Sequence, residues 1–203
     1  MAGLTRSNDT TGKDRKANGF RHFFIGYMSA AALAPVLEKD YGNDRKAYHL
    51  TADYTWGWTQ QEPVAAATEA KGWTTVKNVL TPLATTDFSS YIAPVLNSGA
   101  DVLVLNQYGG NMVNSLTSAV QFGLRDKRVN GKKFEIVVPL YSRLMARGAG
   151  KNVKGSSDQQ TGTGTCLTKA RRRLSSRSVK SMASRRHRQP TRFTARHCFM
   201  LMQ

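Results

Sequence analysis

Three short stretches of this 203-residue chain hold side chains suited to gripping a small molecule: Thr51–Trp58 (TADYTWGW), Asn106–Asn111 (NQYGGN) and Pro139–Arg143 (PLYSR). Each sets an aromatic ring beside hydroxyl, amide or charged groups. Rings enclose a planar or apolar body while a few polar groups orient it, which is how small amphiphilic ligands are held. Bond-making chemistry has no comparable signature. No Ser/His/Asp or paired-carboxylate arrangement stands out, so the chain reads as a binding module and not as an enzyme. His22 and His49 stand apart, and Cys166, Cys198, His187 and His197 lack metal-finger spacing, so no metal or other cofactor is expected. Gly162 and Gly164 imitate a phosphate loop, but no strand precedes them and no Lys-Thr follows.

The elements that must position these stretches alternate. Ser29 is a plausible N-cap for a helix through Ala32, Val36 and Leu37 to Asp40, with Pro35 tolerated only near a first turn, so that the helix could start later than Ser29. Ala47–Thr51 reads as a buried strand that runs into a loop over Ala52–Thr59. A helix over Gln60–Lys71 follows, closed by Gly72. Thr74–Thr81 is a strand, and a helix from about Thr86 carries Tyr91, Val95 and Leu96 to Gly99. Asp101–Leu105 (DVLVL) is apolar without alternation, as in a strand covered on both faces. Asn111–Leu124 is a helix with Met112, Leu116, Ala119 and Val120 in one stripe, and Phe134–Pro139 is a fourth strand. This order implies a doubly wound α/β lobe with a parallel sheet, and it puts the three aromatic stretches at the carboxyl ends of the strands, where such sheets bind ligands.

Charge divides the chain near Gln160. Residues 1–160 carry 19 Lys and Arg against 13 Asp and Glu, whereas 161–203 carry 11 Lys and Arg and no acid. Three readings of that tail are open: a basic arm for nucleic acid or an anionic membrane, a solvated tail with no partner, and a shifted reading frame. Codons permitted for Thr161–Arg186, entered two bases in, spell WYWYLPDEGSQAFVKSFGEKYGFPP, which has helical apolar spacing and mixed charge. The shifted frame is therefore preferred, with the tail disordered and no specific nucleic-acid partner. No run of 18 apolar residues appears, and the N-terminus has no apolar signal core.

The segments GFRHFF (Gly19–Phe24), HLTADYTWG (His49–Gly57), PLATTDFSSY (Pro82–Tyr91), SGADVLVLNQYGG (Ser98–Gly110), AVQFGL (Ala119–Leu124) and VKG (Val153–Gly155) occur in an order that resembles the periplasmic solute-binding proteins of branched-chain amino-acid, amide and urea ABC transporters. The resemblance implies a type I "Venus flytrap" fold: residues 1–27 as a remnant of the first lobe and crossover, 28–160 as the second α/β lobe, and the other lobe incomplete. It implies that the signal peptide, the early strands of the first lobe and the return into it are missing, leaving about half a binding cleft. By the same resemblance the protein is periplasmic, and its partners are a small amino acid, amide or urea and a membrane permease. A cytosolic amide sensor that regulates transcription with the same fold is the alternative.

Matching positions supply the site expected from the family. Tyr54, Trp56, Tyr108 and, more weakly, Tyr141 stand where the family places aromatics over the ligand. Ser7, Thr10 and Thr11 resemble its hydroxyl-bearing loop, and Asp53 could accept a bond from a ligand amine or cap the following helix. Restoring one base near Thr161 is expected to turn Gln160 onward into QNWYW and to extend the open frame past residue 203. The nucleotide sequence across codon 160 checks this, and early stops after every single-base change there would return the tail to the basic-arm reading.

Overall fold

A computed structural model describes residues 5–153 with their side chains and 157–160 in backbone only. The basic tail with both cysteines, and the Lys154-Gly155 part of the VKG segment, lie outside the described residues. After a short 3-10 turn, Asn8–Thr11, the chain runs α1 (Gly26–Tyr41), β1 (Lys46–Ala52), α2 (Thr55–Glu69), β2 (Thr74–Thr81), α3 (Ser89–Asn97), β3 (Val102–Asn106), α4 (Gly110–Gln121), β4 (Arg128–Val129), β5 (Lys132–Lys133), β6 (Glu135–Tyr141), α5 (Arg143–Ala149), a second 3-10 turn and β7 (Ser157–Gln160).

Five strands form one parallel sheet in the order β2-β1-β3-β6-β7, and β4 and β5 make a separate antiparallel hairpin. The alternation of side chains along buried strands builds two cores. Tyr48, Leu50, Leu103, Leu105, Ile136 and Val138 pack with Phe88, Ile92, Met112 and Leu116 from the α3/α4 side. Ala47, Val102, Val104 and Val137 pack with Leu33 and Leu37 of α1, Val64 of α2 and Trp73. Both faces of the sheet are thus covered, which is why β1 and β3 carry almost no exposed residue. The order reverses between β1 and β3, so the crevice outside their carboxyl ends is the topological switch point.

Several expected boundaries move. α1 begins at Gly26, before Ser29, and Pro35 sits well inside it. Ser29 is no cap: its hydroxyl donates to the Gly26 carbonyl at 2.8 Å and accepts from Gln60 Nε2 at 2.8 Å, tying α1 to α2. A proline deprives the carbonyl four residues back of its donor. For Pro35 and Pro94 those carbonyls belong to Ala31 and Ser90, both exposed and open to water. The boundary expected between residues 27 and 28 falls inside α1.

α2 likewise starts at Thr55, so most of the loop expected over Ala52–Thr59 is helical. Aromatic and β-branched residues with a glycine are poor helix formers, and tertiary packing overrides that preference here. A Cβ at Gly57 would meet the Ala52 carbonyl oxygen at 2.0 Å, so only glycine lets the helix turn this close to the strand it leaves. The β4–β5 hairpin turns on Asn130 and Gly131, both with positive φ (51° and 79°), the geometry that an Asn-Gly pair adopts most readily. Ser142 caps α5, accepting from the Met145 N–H at 3.3 Å.

At the amino edge, Arg45 and Asp101 form a buried ion pair at 3.2 Å, and the second Asp101 oxygen accepts from the Lys46 N–H at 2.7 Å. Lys132 of the hairpin pairs with Asp44 at 2.8 Å. Among the described residues no helix is long and apolar enough to cross a membrane, and no cluster of three or more His, Cys, Asp or Glu could hold a metal ion.

Inside the sheet, His49 Nδ1 lies 3.1 Å from Asn106 Nδ2, which also donates to Thr51 Oγ1 at 3.3 Å, while Thr51 donates to Asn78 Oδ1 at 2.7 Å. His49 is fully buried and its Nε2 has no partner among the described residues. Burial disfavours the imidazolium and holds the His49 pKa at about 4, below its ordinary 6.5. The unfolded chain therefore binds this proton first as pH falls. His49 should stabilise the fold fully above about pH 6.5 and lose that contribution, about 3 kcal/mol in all, on acidification to about pH 4. Urea unfolding at intervals from pH 7 to 4 should show a steeper acid loss for the parent than for His49→Gln; equal slopes would reject the assignment.

Candidate functional site

A cleft of about 520 Å³ opens at the carboxyl edge of the sheet. Tyr54, Thr55 and Trp56 reach it from the β1–α2 junction, Tyr108 from the end of β3, Leu140 from β6, and Thr5, Arg6, Ser7, Asp9, Thr10 and Asp14 from the N-terminal segment. The aromatic groups form a connected wall: ring centroids are 5.8 Å apart for Tyr54 and Trp56 and 6.2 Å for Trp56 and Tyr108. Trp56 is 8% exposed whereas Tyr108 is 44% exposed, so the wall has a seated inner ring and an open outer one. Burial raises the Tyr54 phenol pKa, with Arg6 acting in the opposite direction.

The N-terminal segment is held against this wall by a gap in α2. Pro63 has no N–H to give the Thr59 carbonyl, and Asn8 Nδ2 donates to that carbonyl instead, at 3.2 Å. Asn8 Oδ1 in turn accepts from the Tyr27 N–H at 3.3 Å, and the Gly26 N–H donates to the Arg6 carbonyl at 3.2 Å. One asparagine therefore bridges α1, α2 and the turn that carries the cleft residues. Ser7 caps that turn by accepting from the Asp9 N–H, and Arg21 Nη2 donates to the Ser7 carbonyl at 2.7 Å.

Arg6 has no carboxylate partner among the described residues. Its guanidinium lies 4.7 Å from the Phe23 ring centroid, 4.8 Å from Phe24 and 5.6 Å from Tyr108. Desolvation lowers its pKa, and its Nη1 is buried with no hydrogen-bond acceptor among the described residues. The Trp56 indole N–H is in the same condition. Asp9 is paired with Lys13 at 3.2 Å.

Five of the eight residues expected from sequence come together here: Ser7, Thr10, Tyr54, Trp56 and Tyr108. The other three do not line the cleft. Tyr141 is buried in the α3/α4-side core with Ile136 and Val138, because the strand register slips between Val138 and Tyr141 and strict alternation, which would turn it to the Val137 face, does not hold there. Asp53 accepts from the Trp58 indole N–H at 3.2 Å, and Tyr54 occupies the N-cap position of α2, so Asp53 neither faces the cleft nor caps the helix. Thr11 is exposed on the 3-10 turn and is not among the residues that line the cleft. Sequence reasoning missed Thr5, Arg6, Asp9, Asp14, Thr55 and Leu140. Arg6 had a usable signal, being the one cation inside the hydroxyl-rich stretch 5–11.

The strand order and the cleft at its switch point define one lobe of a type I periplasmic-binding-protein fold. A family model described as "Periplasmic binding protein" matches residues 2–201, and the chain belongs to that family. Solved structures agree on the fold. An amino acid ABC transporter substrate-binding protein from Pseudomonas fluorescens Pf-5 is 22% identical with a TM-score of 0.70, over 92% of this chain and 48% of its own. A branched-chain amino acid ABC transporter periplasmic ligand-binding protein from Burkholderia xenovorans LB400 is 20% identical with a TM-score of 0.63, over 92% and 47%. A solute-binding protein from R. palustris in complex with 4-hydroxybenzoate is 22% identical with a TM-score of 0.57, over 66% and 34%. The chain spans less than half the length of these structures. No curated protein matches it in sequence.

If Asn8 seats the cleft's N-terminal wall, Asn8→Ala should lower stability by about 1–2 kcal/mol, since it orphans the Thr59 carbonyl. Hydrogen exchange should also speed up selectively over residues 5–14. Unchanged exchange there would show that the segment is held by other contacts.

Proposed function

We propose that this chain is part of the substrate-binding component of an ABC transporter, capturing a small amino acid, amide or urea in the periplasm for delivery to a membrane permease. The observation that carries the reading is the cleft at the β1/β3 switch point, where the Tyr54, Trp56 and Tyr108 wall faces the hydroxyls of Ser7 and Thr10. Rings at these separations can cover a flat or aliphatic body, and hydroxyls and backbone N–H groups can orient its polar end. Family membership and the amino-acid and aromatic-acid binders among its structural neighbours support this class of ligand. The site would act by enclosure and release, and no bond would be made or broken.

In a two-lobed protein, closure of the second lobe completes the enclosure and excludes water, and much of the affinity comes from that step. The cleft formed by the described residues, with an outer ring nearly half exposed, is open to solvent. Micromolar affinity corresponds to about 8 kcal/mol, and a few open contacts are expected to hold a solute only at millimolar strength. Calorimetry at micromolar protein should therefore show no saturable binding of leucine, short amides or urea, while titration into the millimolar range should shift the Trp56 indole signal, an effect that Trp56→Phe removes. Tight binding by the 203-residue chain would overturn the need for a second lobe, and the absence of any indole shift would remove the cleft as the site.

A further inference from the structure

A half-buried cation without an anion is costly, and this molecule places one beside its candidate cleft. The Arg6 guanidinium leans on Phe23, Phe24 and Tyr108, and ring faces offset only part of the hydration it gives up. Among the described residues it has neither a carboxylate within ion-pair distance nor a hydrogen bond from its side chain. The Asp9 carboxylate at the same cleft is drawn to Lys13. Arg21, on the other side of Ser7, also lacks an anion: its Nη2 donates to the Ser7 carbonyl, and its Nε and Nη1 have no acceptor. Trp56, more than nine-tenths buried in the cleft wall, keeps an indole N–H with no acceptor. Arg6 and Trp56 therefore both line the cleft with a buried N–H that has no acceptor among the described residues, and the partly satisfied Arg21 bonds to the Ser7 carbonyl behind them.

We infer that Arg6 is a charge selector, and that the solute taken by this cleft presents a carboxylate to the Arg6 guanidinium while its body lies against Tyr108 and Trp56. The inference rests on the cleft being the solute site and adds the chemical class: carboxylates favoured over neutral amides and urea. A guanidinium offers a planar fork of N–H donors that suits a carboxylate, and a charge-assisted bond in a partly desolvated site is stronger than a neutral one. An amide of the same shape would set its own N–H donors against Arg6. The carboxylate could belong to a planar aromatic acid or to an amino acid. Asp14, which also lines the cleft, is where the ammonium of an amino acid would find a counter-charge.

The test follows the Trp56 indole resonance in millimolar titrations with two isosteric pairs, benzoate with benzamide and 4-methylpentanoate with 4-methylpentanamide, adding leucine to 4-methylpentanoate to read the effect of the ammonium. In at least one pair the acid should bind about tenfold or more tightly than its amide. Arg6→Gln should bring that ratio to near unity, and Arg6→Lys should keep part of it. Leucine binding better than 4-methylpentanoate would assign the carboxylate to an amino acid; benzoate binding best would assign it to an aromatic acid. Equal binding of acid and amide in both pairs, or a ratio unmoved by Arg6→Gln, overturns the inference and leaves the cleft standing. If no probe, urea included, shifts the indole, the cleft reading falls and this one with it. Should Arg6→Gln unfold, the ratio in Arg6→Lys and the ratio in the parent at two ionic strengths decide, since pairing with Arg6 must weaken as salt rises and a salt-independent ratio counts against it.

Discussion

A parallel sheet covered on both faces has few places for an accessible polar side chain other than its two edges, and this constraint organises the molecule. Val102–Leu105 in β3 are fully buried, as are Ala47–Leu50 in β1, so between their ends neither strand offers a group to solvent. Where a polar residue does fall inside, as at His49, Thr51 and Asn106, it bonds to the neighbouring strand, and burial keeps the His49 imidazole neutral. Recognition is left to the carboxyl edge, and within that edge to the point where neighbouring crossovers diverge. Tyr54 and Trp56 follow β1 and Tyr108 follows β3, the two strands flanking that point. The site's position thus follows from topology before any side chain is considered.

What the sheet cannot supply is the opposing wall, and the molecule obtains it from small departures from regular helix. Gly57 lets α2 turn against the Ala52 carbonyl, which brings Trp56 over the strand ends. Pro63 leaves the Thr59 carbonyl free, and Asn8 takes it. A Cβ at Gly26 would meet the same Thr59 oxygen at 2.5 Å, so the absence of a side chain there keeps α1 close enough for the arrangement to exist. Glycine and proline, residues that usually end helices, here set the distance between two of them and the turn that faces the wall.

These departures also mark where the sequence was legible. The apolar runs of β1 and β3 and the stripe of α4 were readable because burial on one or both faces writes a periodic signal. The start of α2 was not, since Thr55-Trp56-Gly57-Trp58 has weak helix propensity and its conformation depends on contacts with Ala52 and Asn8, which no local window contains. Tyr54, Trp56 and Tyr108 could be grouped because strand order alone sends them to one edge. Tyr141 could not be separated from them: it belongs to the same edge in sequence, and only the face on which β6 presents it removes it to the core. The Asn130-Gly131 hairpin turn and the Ser142 cap did carry local signals that went unread.

The two edges treat charge in opposite ways, and the contrast separates stability from recognition. At the amino edge Arg45 meets Asp101 and Lys132 meets Asp44, pairs that tie the starts of β1 and β3 to each other and to the hairpin. At the carboxyl edge Arg6 packs against rings and Arg21 bonds to a carbonyl, and neither is ion-paired to a carboxylate among the described residues. Pairing either of them internally would be a modest sequence change and would relieve the cost of a desolvated charge. Proteins commonly give up stability of this kind where a site has to be ready for a group that arrives from outside. The unpaired guanidinium beside an aromatic wall is therefore better understood as half of an interaction than as a defect in packing.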